Sequence, residues 1–126
     1  MNNKIISFRF STVGYLKNFS DFIITKYDET SAKCIIDSSS SSVKLIEKDV
    51  PIEVLDKLDT IVKKYNLFKW NGFDKHAKNV LDGHSFTLQV QYSNNDKIYA
   101  TGYMKYPKHY KEAEKEILEL FNSLCS

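Results

Sequence analysis

Residues 85–92, Ser-Phe-Thr-Leu-Gln-Val-Gln-Tyr, alternate polar and apolar without a break. That period puts Phe86, Leu88, Val90 and Tyr92 on one side of a strand, with Ser85, Thr87, Gln89 and Gln91 on the other. One dry face and one wet face mark an antiparallel sheet rather than a sheet buried on both sides. Ser93–Asp96, with Asn94-Asn95 at its centre, supplies a hairpin turn. Lys97–Met104 then returns, placing Ile98, Ala100, Gly102 and Met104 on one side and Tyr99, Thr101 and Tyr103 on the other. The small residues Ala100 and Gly102 leave room for a helix or a bulky ring to approach the sheet.

Upstream, Lys4–Phe10 reads as a strand with Ile6, Phe8 and Phe10 on one side, followed by a turn cluster at Ser11–Gly14. Phe19–Tyr27 is rich in β-branched and aromatic residues. Ser31–Asp37 follows a short polar turn and sets Ala32, Cys34 and Ile36 on one face, so the two segments predict a hairpin. Ser38–Ser42 is a run of five serines. Its composition fits a solvated loop between strands better than a hinge or a phosphorylation patch. Val43–Lys48 predicts a fourth strand.

Two helices are expected. In Pro51–Asn66, proline suits the first helical position and Asn66 the end. Val54, Leu55, Leu58, Ile61, Val62 and Tyr65 form one apolar face, with acids early and Lys63 and Lys64 late. Pro107–Leu124 carries Tyr110, Ala113, Ile117, Leu120, Phe121 and Leu124 on its apolar face, against a solvated face of alternating Glu and Lys. The pattern predicts an α+β domain spanning residues 1–126. An antiparallel sheet of about six strands would carry both helices on one face, in the order ββββαββα.

Composition narrows the function classes. A chain of 126 residues is most simply one domain, and buries about two-thirds of its unfolded surface. A net charge of +2 is too small for a dedicated nucleic-acid or anionic-membrane binder. Arg9 is the only arginine, which argues against bidentate phosphate recognition. No leader segment or membrane span is recognisable, and Cys34 and Cys125 form neither a CxxC motif nor a disulfide framework. A reduced, cytoplasmic protein is therefore expected.

The chemistry-bearing residues are sparse. Asp74-Lys75-His76 and Asp82-Gly83-His84 both spell Asp-x-His, the residue types a divalent ion takes, but in no recognised ligand spacing. Asp82-Gly83 is also a turn signal in its own right. No bound metal or cofactor is expected. Cys34 falls on a buried strand face, no Ser sits in a nucleophile elbow, and the four glycines are too scattered for a phosphate loop. Trp70 admits two readings: a platform for a ligand, or a lid on the core whose indole nitrogen meets a carbonyl. Its neighbours Leu67, Phe68 and Phe73 favour the lid. Lys105–Lys111 interleaves bases and rings, as a single-stranded nucleic-acid binder would, yet a strand end leading into a helix accounts for every residue in it.

The block Trp70-Asn71-Gly72-Phe73, Leu81-Asp82-Gly83, Ala100-x-Gly102 and Pro107-x-x-Tyr110 resembles a loose group of small bacterial proteins with no assigned activity. That resemblance implies an α+β fold and a cytoplasmic life, and transfers no catalytic residue. The function expected is a non-enzymatic interaction module, immunity- or adaptor-like, that binds a protein rather than a membrane or nucleic acid. The alternative is a small-molecule or metal-dependent enzyme using the Asn71–His84 loop and the hairpin after it. Either way, the expected contact residues are Trp70, Asn71, Phe73, Asp82 and His84. A long loop between rigid elements is where function concentrates.

Overall fold

The computed structural model describes residues 3–14, 19–39, 45–78 and 83–124. The chain is α+β. Its strands are β1 (Ile5–Val13), β2 (Phe19–Lys26), β3 (Ser31–Ser38), β4 (Leu45–Pro51), β5 (Asp74–His76), β6 (Ser85–Tyr92) and β7 (Lys97–Tyr103). Helix α1 (Glu53–Lys64) and a 3-10 turn (Leu67–Trp70) lie between β4 and β5, and helix α2 (Tyr110–Leu124) follows β7. One seven-stranded sheet has the order β4-β3-β2-β1-β6-β7-β5. Every pairing is antiparallel except that of β5 with β7.

One side of the sheet is dry. Phe8, Phe10, Phe22, Ile24, Cys34, Leu88, Val90 and Ile98 are all buried there. Helix α2 lays Phe121 on Phe22, with ring centroids 4.8 Å apart, and against Phe8 at 6.3 Å. Helix α1 buries Val54, Leu55, Leu58, Ile61 and Val62, and the Tyr92 hydroxyl of β6 donates to Asp59 of α1 at 2.6 Å. The helices are joined through Glu116, which accepts from Lys64 at 2.9 Å and from the Tyr65 hydroxyl. Lys48 donates to the Leu124 carbonyl, a cation at the negative end of α2.

Three sequence expectations need correction. The sheet has seven strands, not about six, in the order ββββαβββα. The added strand, β5, is held on the free edge of β7 by Gly72 N–H to Tyr99 O at 2.9 Å, Thr101 N–H to Phe73 O at 2.9 Å and Ala77 N–H to Tyr103 O at 2.8 Å. Its sequence, Asp-Lys-His, is all polar and too short to show a period. Both helices begin later than their prolines. Pro51 closes the edge strand β4, where a missing N–H breaks no ladder, and Pro107 precedes α2 by three residues. In β1 an irregularity between Ile5 and Ser7 shifts the register, so Ile5, not Ile6, joins Phe8 and Phe10 in the core.

Other expectations hold in the chain. Asn66 takes the left-handed conformation (φ 55°) after α1, the usual helix-stopping device. Asn95 (φ 74°) turns the β6–β7 hairpin. Gly102 has no room for a side chain: an added Cβ would lie 2.2 Å from Lys105 O and 2.7 Å from Phe86 Cε1. Ser38 ends β3, while Ser39 accepts from Phe19 N–H at 2.8 Å. Ser40–Ser42 and the start of the expected fourth strand, Val43 and Lys44, lie outside the described residues.

Candidate functional site

Within the segment from Trp70 to His84, residues 70–78 are built largely from the core outward. Trp70 is 2% exposed, stacks on Tyr110 at 5.8 Å and meets Phe86 edge-on at 6.1 Å. Its Nε1–H donates to Lys108 O at 3.0 Å. This is the lid geometry, and it leaves no indole face for a partner. Asn71 is exposed, but its Oδ1 accepts from Tyr99 N–H at 2.8 Å, so it serves the β5–β7 junction. Phe73 is half-buried against Phe86 at 6.2 Å, with Lys75 Nζ 5.4 Å above its ring. The expected loop is thus partly an edge strand anchored by three of its own candidate contact residues.

His84 sits at the surface beside the hairpin. Its Nδ1 lies 2.9 Å from the Tyr106 hydroxyl, and its N–H points to Met104 Sδ at 3.0 Å. Met104 N–H donates back to His84 O at 2.8 Å. Asp82 lies outside the described residues. His76 pairs with Asp74 across 2.7 Å on the exposed strand β5. Among the described residues no three His, Cys, Asp or Glu side chains converge as metal ligands.

The sheet side opposite the helices has no described element over it, and the strand order gathers on it residues that sequence reasoning did not connect. The register runs Phe19 to Val13, Val13 to Ser85, Ser85 to Tyr103 and Tyr103 to His76, one row across five strands. Val13 is 44% and Phe19 37% exposed, large apolar groups left in water at one end of the face. Tyr99, 50% exposed, stands on the same face further along β7.

Charge on this face is uneven. Asp37 of β3 lies directly opposite Asp21 of β2, which lies opposite Ser11. Like charges in opposed positions are destabilising unless neutralised. Arg9 takes Asp21 in a two-pronged bond, Nε at 3.0 Å and Nη2 at 2.8 Å, and the Asp21 hydrogen bond raises the guanidinium pKa. Asp37 makes no ion pair among the described residues. Asp49, four residues along β4 from Leu45, is held by Lys33, and Glu47 stands between Leu45 and Asp49 on the same edge. The β2–β4 half of the open face is therefore acidic on a chain whose net charge is +2.

The strongly perturbed titratable groups lie on the other side. Burial pushes the Tyr92 and Tyr110 hydroxyls well above the ordinary tyrosine range, with the acceptors Asp59 and Glu114 adding to it. A tyrosine shifted upward is a poorer proton donor at neutral pH, the opposite of what acid catalysis needs. No family model and no curated protein matches this chain. Among the described residues, no helix is long and apolar enough to cross a membrane.

Proposed function

We propose that this protein is a non-enzymatic interaction module, and that its open sheet face binds a protein partner with a basic surface. The observation behind the reading is the juxtaposition of Asp37 with Asp21 on a face that also exposes Val13, Phe19 and Tyr99. A lysine or arginine from a partner would relieve the opposed carboxylates, while the rings and Val13 supply apolar area. Nucleic acid does not fit this side, since phosphates would meet carboxylates. His76 closes the row, so part of the expected 70–84 contact region belongs to the interface; Trp70 acts behind it as a support, while His84 packs on Tyr106 towards the helix side. Bacterial origin and a cytoplasmic setting accompany the reading, as does an immunity- or adaptor-like role.

The experiment is charge reversal. With a partner captured from the native cell and its affinity measured, Asp37→Lys should weaken binding about tenfold or more at low salt. Glu119→Lys, on the outer face of α2, should leave it unchanged. Equal affinity for Asp37→Lys and the parent protein overturns the proposal.

A further inference from the structure

A second surface, on the helix side, has the opposite charge. A cleft of about 250 Å³ lies where the end of α1, the 3-10 turn and the turn before α2 meet. Lys64, Lys69, Lys108 and His109 line it, with Tyr65 and the edge of Trp70 behind them. These bases come from three separate segments. Asn66 turns the chain so that Lys69 faces back, and the Trp70 indole holds the Lys108 carbonyl in place. Tyr65 and His109 rings lie 6.2 Å apart across the cleft.

Two carboxylates stand nearby, and both are committed. Glu116 accepts from Lys64 and Tyr65, and Glu112 lies 3.3 Å from His109 Nδ1. Lys69 and Lys108 make no ion pair among the described residues.

We infer that this cleft binds a small phosphate-bearing molecule through its phosphate or diphosphate group. Lys69 and Lys108 both line the cleft and make no ion pair among the described residues, so a multivalent oxyanion between them gains charge pairing with each. Lysines are point charges on flexible stems, so they select charge density rather than a planar two-pronged geometry, which suits phosphate without arginine. The volume lies below the range of about 300–1,000 Å³ usual for whole drug-sized ligands, which restricts the occupant to the anionic group.

Trp70 is the only tryptophan and borders the cleft, so its emission reports on occupancy. The full chain is titrated with inorganic pyrophosphate, with sodium chloride at matched ionic strength as the reference. A saturable emission change is expected, together with amide shifts at Asn66, Lys69, Lys108 and His109. The Lys69→Gln, Lys108→Gln double variant should lose affinity about tenfold or more, while Lys57→Gln should not. Both lysine changes are at the surface, and unchanged circular dichroism establishes that the double variant is folded. A linear response equal to that of chloride, or a double variant that binds like the parent, overturns the inference. Tighter binding of a short single-stranded oligonucleotide than of pyrophosphate also overturns it, because the cleft would then be one stop on a longer strand-binding track.

Discussion

The Trp70 indole Nε1–H donates to the backbone carbonyl of Lys108 at 3.0 Å. One bond thereby ties the exit of α1 to the entrance of α2, and it sets the wall between the hairpin and the basic cleft. Trp70→Phe removes the donor and leaves part of the ring space empty. A loss of about 2–4 kcal/mol is expected in urea denaturation. A variant as stable as the parent would show that the bond carries no weight.

Leu58 of α1 and Ile117 of α2 are both completely buried. Either residue changed to Ala should cost about 2–5 kcal/mol, because each leaves a cavity between a helix and the sheet. Chemical denaturation reads this directly. The two losses should be nearly additive if their cavities do not share a wall.

Alkaline titration tests the Tyr92–Asp59 and Tyr110–Glu114 pairs. Both tyrosines have their folded pKa raised above the unfolded value of 10.0, first by burial and then by the carboxylate acceptor. Their contribution to stability is therefore complete below pH about 10 and is lost as pH rises further. Absorbance at the phenolate band follows the titration. Tyr92 and Tyr110 should ionise only together with unfolding. Tyr92→Phe should remove one late-titrating group and the Asp59 bond with it.

The fold was legible where a period was long enough to be seen. The β6–β7 hairpin and both helix faces follow from alternation over seven or more residues. Strand β5 was not legible, because three polar residues carry no period and its pairing depends on the free edge of β7. Pro51 has two allowed places, a first helical turn or an edge-strand end, and only the position of β4 at the sheet edge decides between them. At the site, Leu67, Phe68 and Phe73 around Trp70 were enough to expect a lid. The Phe19–Val13–Ser85–Tyr103 row was not readable, because it exists only once β1 lies between β2 and β6. The Asp21–Asp37 opposition sits in the expected β2–β3 hairpin, but it needed the register that the turn at Asp28 sets. The basic cleft left a partial signal in the interleaved bases and rings of 105–111. Its partners Lys64 and Lys69 are distant in sequence and reach Lys108 only through the packing of α1 against α2.

The central claim is that the face opposite the helices is the recognition surface. Hydroxyl-radical footprinting of the complex with its captured partner measures this at side-chain level, where backbone exchange inside a paired sheet would be blind. The account predicts protection of Val13, Phe19 and Tyr99, with Tyr65, Phe68 and Leu120 on the helix side oxidised as in the free protein. Protection of Tyr65, Phe68 and Leu120, with Val13, Phe19 and Tyr99 unchanged, would contradict it.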